Sequence, residues 1–146
     1  MIVTLLPTDW KMLAKAAEQG ARRSAGLAKK EGTSIRPRGV AILTRKGGIL
    51  SAPELSAEDG GGCSAERAAL YRARLAGSGQ VTCILIRGGT TGKSDGGPPT
   101  AASLQVILEL APRARIFWGT NRSPSGGKMA RELLPGAFER AHLSST

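Results

Sequence analysis

Cys63-Ser64-Ala65-Glu66-Arg67-Ala68-Ala69-Leu70 reads as the opening of a helix. Ser64 is a residue type that caps a helix N-terminus, and Glu66 puts an acid in the first turn, where the helix dipole favours it. The glycine run Gly60-Gly61-Gly62 leads in, the helix continues to about Leu75, and Ala76-Gly77-Ser78-Gly79 ends it. Val81-Thr82-Cys83-Ile84-Leu85-Ile86 follows as a buried strand. After a Gly-rich loop over 88–97, Pro98-Pro99 introduce a second helix from about Thr100 to Leu110, for which Thr100 is the natural cap. Ala114-Arg115-Ile116-Phe117-Trp118 is a further strand.

Upstream, residues 8–30 read as a helix capped by Thr8, with Asp9 in its first turn and small apolar positions at Ala14, Ala16, Ala17, Ala21 and Leu27. Gly20 and Gly26 count against that helix, and Glu31-Gly32-Thr33-Ser34 breaks it. Gly39-Val40-Ala41-Ile42-Leu43 and Ile49-Leu50-Ser51-Ala52, joined by Arg45-Lys46-Gly47-Gly48, form a hairpin pattern. Downstream, Asn121 to Gly127 form a turn and Met129 to Pro135 close the domain. The order α-β-β-α-β-α-β implies an α/β fold, with helices on both faces of a mixed sheet. No repeat divides it, so residues 1–146 read as one domain with an ordered core of about 8–138.

Composition narrows the function classes. Hydrophobic residues make up 40% but aromatics only 3%, so Leu, Ile, Val and Ala must build the core. No apolar run approaches the roughly 18–20 residues of a membrane span, and the N-terminus lacks a signal-peptide pattern. Two cysteines, Cys63 and Cys83, make no disulfide framework, so the expected location is the cytoplasm. Net charge is +10, and residues 1–46 hold ten of the 21 Lys and Arg against Asp9, Glu18 and Glu31. Such a surface attracts anions, but that half offers only Trp10 for stacking, so a solvated cationic face is expected rather than nucleic-acid binding.

The helix start at Cys63–Leu70 resembles the Cys-Ala-Glu-x-x-Ala-Ile element of cytidine deaminases, whose superfamily pattern pairs it with Pro-Cys-x-x-Cys. Pro99-Thr100-Ala101-Ala102-Ser103-Leu104-Gln105-Val106-Ile107 keeps the spacing of the second element without its cysteines. Gly79-Gln80-Val81-Thr82-Cys83-Ile84 and Arg131-Glu132-Leu133-Leu134-Pro135, with Phe138, look like blasticidin-S deaminase. The resemblance covers roughly residues 8–138. It implies a cytidine-deaminase-like three-layer α-β-α fold with a mixed, about five-stranded sheet, and assembly as a homodimer or homotetramer.

In that family one Cys or His and two Cys hold zinc at two helix N-termini, and a Glu shuttles protons from the zinc-bound water. The corresponding positions here are Ser64, Thr100 and Ser103. Neutral hydroxyls are poor zinc ligands, since the metal takes thiolate, imidazole or carboxylate. Cys63 neighbours a ligand position and the single histidine, His142, lies in the tail, so neither metal nor cofactor is expected. Glu66 remains as the candidate catalytic residue, although an acid in a first helical turn also has an ordinary electrostatic role. Two helix N-termini facing one cavity without a cation imply a hydroxyl-lined pocket for an anionic group, with Ser64, Cys63, Thr100 and Ser103 as candidate contacts. The family's ribose-binding Asn-x-Glu falls near Glu54-Leu55-Ser56. That departure makes Glu54 and Ser56 the candidate contacts there and makes cytidine itself a poor fit.

Gly88-Gly89-Thr90-Thr91-Gly92-Lys93-Ser94 invites comparison with a P-loop, but Arg87 stands where the first Gly belongs and no helix follows Lys93. A flexible loop bordering the pocket, able to act as a lid, is the simpler expectation. Three functions stay open. One is a zinc-independent enzyme using Glu66 for general acid/base work on a small heterocyclic or nucleoside-like metabolite, through cyclisation, dehydration, tautomerisation or hydrolysis, in specialised-metabolite biosynthesis. Another is a non-catalytic deaminase-like binding protein or partner subunit. The third is nucleic-acid binding through the basic half.

Overall fold

The computed structural model describes Leu5, residues 7–32, 36–55, 62–120 and 127–134, and Gly136. The expectations placed on Thr33, Ser34, Ser56, Gly60, Gly61, Asn121, Pro135, Phe138 and His142 therefore lie outside the described residues.

Helix α1 (Pro7–Glu31) is followed by β1 (Arg38–Thr44), β2 (Ile49–Pro53), α2 (Ala65–Leu75), β3 (Val81–Gly88), α3 (Ala101–Leu110), β4 (Arg115–Phe117) and α4 (Ala130–Leu133). The element order matches the sequence pattern through β4, and α4 is added to it. Helix α1 begins at Pro7, one residue before the expected 8–30 span, so Thr8 lies within the helix rather than capping it, and proline's fixed φ suits a first helical turn. The strands lie in the order β2-β1-β3-β4. β1 is antiparallel to both β2 and β3, whereas β3 and β4 are parallel, joined by the α3 crossover.

The sheet is mixed, as expected, but the described residues hold four strands rather than about five. Beyond β4 a single antiparallel bridge, Ile116 with Lys128, extends it by one pair, through bonds of 2.8 and 3.1 Å.

The alternation of side chains along each strand builds the three layers. Ala41, Leu43, Cys83 and Leu85 point to one face and pack with Trp10, Leu13 and Ala17 of α1. Val40, Ile42, Ile84 and Ile86 point to the other and pack with Ala65, Ala69, Leu70 and Ala73 of α2 and Leu104, Ile107 and Leu108 of α3. Trp10 meets Phe117 edge-on at 5.1 Å between ring centroids. No helix among the described residues is long and apolar enough to cross a membrane.

Topology gathers the candidate residues at one end of this sheet. Because β1 runs against β3, Arg38 at the start of β1 pairs with Gly88 at the end of β3. Because β2 runs against β1, its end returns to the same place, Gly39 pairing with Pro53 and the Glu54 N–H donating to the Arg38 carbonyl at 2.8 Å. Ser24, buried on α1, joins the two: its hydroxyl donates to the Glu54 carbonyl at 3.0 Å and accepts from the Arg38 N–H at 3.3 Å. The N-termini of α2 and α3 meet this end from the opposite face.

Candidate functional site

Ser64 caps α2, its hydroxyl accepting from the Arg67 N–H at 3.2 Å. Thr100 caps α3 in the same way, accepting from the Ser103 N–H at 3.3 Å. Both expected cap roles are thus present, and each cap satisfies an N–H that the first helical turn leaves free. In the first turn of α2, Glu66 is fully buried. Its Oε2 accepts from the Ser103 hydroxyl at 3.4 Å, and that hydroxyl accepts in turn from Thr100 Oγ1 at 3.3 Å. Glu66, Thr100 and Ser103 therefore form one chain of side chains across the two helix starts.

The cavity was expected to lack a cation, and here the structure differs. The guanidinium of Arg38 enters it, and its Nη2 forms an ion pair with Glu66 Oε1. Nη1 bonds Glu54 Oε2 at 3.0 Å, and Nε donates to the Gly96 carbonyl at 2.8 Å. Nη2 also faces the carbonyls of Gly97 and Pro98, each at 3.5 Å. Burial alone would lower the Arg38 pKa, but the hydrogen bond and charge of Glu66, with those of Glu54, outweigh it and leave the pKa raised. An anion-receptive pocket is thus already filled by the protein's own carboxylates and their counter-ion.

Glu54 belongs to this cluster as expected, its Oε2 also accepting from the Ala65 N–H at 3.4 Å. Ser56 lies outside the described residues. Cys63 does not join the cluster: its backbone bridges Leu55 through bonds of 3.0 and 2.9 Å, and its thiol faces the Ser64 carbonyl at 3.6 Å. Cys83 sits on the α1 face of the sheet, fully buried, and burial pushes its thiol up to about 12.

Residues 88–98 border the site only in part. Gly96, Gly97 and Pro98 offer their carbonyls to Arg38. The tip turns to the other face: Gly88 and Ser94 exchange backbone bonds of 2.8 and 3.0 Å, and Gly92 lies against the Glu18 backbone of α1. No helix opens at Lys93 and the loop is no P-loop. In this conformation the tip is docked on α1 and does not reach over Glu66. Arg87, in β3 just ahead of this loop, donates to the Gly119 carbonyl. Burial lowers its pKa, opposed by Glu18 and Asp95.

Among the described residues, no three of His, Cys, Asp and Glu are grouped so as to hold a metal ion. The polar atoms at the two helix starts are hydroxyls already engaged in caps or in the bond to Glu66. Arg38, Ser24 and Gly96 are the members that sequence reasoning missed. One signal was available for Arg38: it stands in phase with Val40 and Ile42, on the strand face that packs against α2 and α3.

This architecture is the cytidine deaminase fold. The structure is similar to cytidine deaminase from Mycobacterium tuberculosis, with a TM-score of 0.67 and 23% identity over 90% of this chain and 98% of that one. The Mycobacterium leprae cytidine deaminase aligns with a TM-score of 0.67 and 22% identity over 86% and 97% of the two chains. The Burkholderia pseudomallei cytidine deaminase gives 0.61 and 26% over 82% and 98%. These likenesses establish the fold. No protein-family profile matches the chain. No curated protein sequence matches it.

Proposed function

We propose that this protein is a zinc-independent form of the deaminase scaffold that performs no hydrolytic deamination and serves as a deaminase-like binding protein or partner subunit. The observation that carries this reading is the state of Glu66: fully buried, ion-paired with Arg38 on one oxygen and bonded by Ser103 on the other. A general acid or base must come within hydrogen-bond reach of the proton it moves, directly or through one water. Glu66 has no surface open to water and no oxygen without a protein partner. The residues at the metal position do not fit zinc either. Three neutral hydroxyls, engaged in caps and in the bond to Glu66, offer it neither thiolate nor imidazole, and a guanidinium already neutralises the one buried carboxylate.

One observation favours the enzymatic alternative, a metal-free acid/base reaction on a small heterocyclic or nucleoside-like metabolite. The Thr100–Ser103–Glu66 chain keeps a carboxylate linked to a hydroxyl relay. Using it requires Arg38 to leave Glu66.

Elemental mass spectrometry of protein purified without chelator, with ultraviolet assays on cytidine and a blasticidin-type nucleoside, tests the reading. The expected result is strongly sub-stoichiometric zinc and no turnover, with calorimetry showing whether either nucleoside binds. Stoichiometric zinc with turnover would overturn it. Metal-free turnover abolished by Glu66→Gln would establish the alternative. The same reading takes the chain as one cytoplasmic domain that self-associates, for which light scattering gives the assembled mass.

A further inference from the structure

We infer that Arg38 is the resident cation of this scaffold, a guanidinium built into the chain that ties four separate segments together at the site. The inference rests on zinc independence only in that Arg38 occupies the place where the fold's helix starts converge. Its coupling to Glu66 is a property of the folded chain whether or not the protein catalyses anything.

Geometry carries the argument. Arg38 is fixed at its own backbone by Ser24 of α1 and by the Glu54 N–H. From there its planar fork reaches Glu54 beyond β2, Glu66 in the first turn of α2, and the carbonyls of Gly96, Gly97 and Pro98 ahead of α3. The partners lie 16 and 28 residues away at the two glutamates, and 58, 59 and 60 away at the carbonyls. One side chain thus closes contacts that are long-range in sequence. A point charge could not serve them all: arginine presents five donors in one plane, whereas lysine offers a compact ammonium. The cluster carries a net charge of −1. Two carboxylates surround one guanidinium, and Glu54 takes a further bond from the Ala65 N–H.

The decisive consequence is asymmetric. Removing the guanidinium alone strands Glu66 in a site with no access to water, and an uncompensated buried charge is among the most destabilising single changes. Removing both charges of the Arg38–Glu66 pair leaves a neutral, similarly sized pair that a packed interior tolerates, while the remaining carboxylate, Glu54, is partly exposed and can be solvated. A merely solvated surface arginine would show neither effect.

The test is a thermal-unfolding cycle on the full chain, run in chelator so that no metal enters. Arg38→Met should lower the Tm by about 10–20 °C. Arg38→Met combined with Glu66→Gln should recover at least half of that loss, and Arg38→Lys should fall between parent and Arg38→Met. If Arg38→Met does not fold but the double variant does, the coupling is established directly. An Arg38→Met protein within a degree or two of the parent would overturn the inference. A double variant no more stable than the single one would overturn it as well. Neither result bears on zinc content or turnover, so failure here stands apart from failure of the proposed function.

Discussion

Gly39 of β1 and Gly20 of α1 meet with no side chain between them. A Cβ on Gly39 would lie 2.4 Å from the Gly20 carbonyl carbon and 2.1 Å from the Ala21 nitrogen. This contact sets the height of α1 above the sheet, and it explains a glycine in the middle of a helix. Gly39→Ala should cost about 3 kcal/mol, the upper end for overpacking, because backbone rather than a side chain must give way. Gly20→Ala should cost less, since its nearest conflict is the Ala52 carbonyl oxygen at 2.9 Å. Gly26 is the internal control: nothing lies within 4 Å of its Cβ position, so Gly26→Ala should stabilise α1 by about 0.5–1 kcal/mol. Urea unfolding of the three variants checks the order. A neutral Gly39→Ala would contradict the close approach.

Much of this architecture was legible because local rules and tertiary structure agree. Ser64 and Thr100 are cap residues at real helix starts, the Arg45–Gly48 segment joins a real hairpin, and the strand over 81–86 is buried on both faces. Gly20 and Gly26 look alike in sequence, yet only one supports a close backbone approach. That distinction belongs to packing. Arg38 was missed for a related reason. A basic residue beside Pro37 at a strand start reads as a solvated end, and its partners 16 to 60 residues away leave no local trace. The expectation of an empty anion pocket followed from considering the two helix starts without the strand that faces them. Glu54 was found through the resemblance, where the family's Asn-x-Glu falls near it, but its role as a counter-ion was not.

Cys83 gives a pH-dependent prediction whose sign is fixed. Burial raises its thiol from an ordinary value of 9.0 to about 12, so between those values the folded chain keeps a proton that the unfolded chain has lost. This contribution is fully present below about pH 9 and is lost as pH rises towards 12, by on the order of 4 kcal/mol at most. Denaturant midpoints from pH 8 to 11 should therefore fall more steeply for the parent than for Cys83→Val, which removes the thiol at similar size. Parallel curves for the two proteins would refute the assignment. Thiol labelling under native conditions should modify Cys63 first, since Cys83 is fully buried.

The two caps separate a structural role from a metal-binding one. Ser64→Ala and Thr100→Ala each remove a bond to the N–H three residues on, and each should cost about 1 kcal/mol of stability. Gly at either position should cost less than Ala. If these hydroxyls only cap, zinc content should be as low in the variants as in the parent. A fall in bound zinc alongside either substitution would show that the hydroxyl was holding metal.

Gly92 tests whether the Gly-rich loop is docked or free. Its φ is +78°, a conformation that L side chains rarely adopt. A Cβ there would lie 2.2 Å from the Glu18 carbonyl oxygen on α1. Arg22 holds the neighbouring turn through the Thr91 carbonyl at 3.3 Å. Gly92→Ala should therefore lift the tip from α1 at a cost of about 1–3 kcal/mol. Local release exposes backbone to proteases before the whole domain unfolds. Trypsin should then cut after Lys93 faster in the variant, while cleavage in the exposed hairpin turn after Arg45 and Lys46 stays at the parental rate as an internal reference. Equal rates after Lys93 in both proteins would mean that the tip moves freely already, and would return the loop to consideration as a lid.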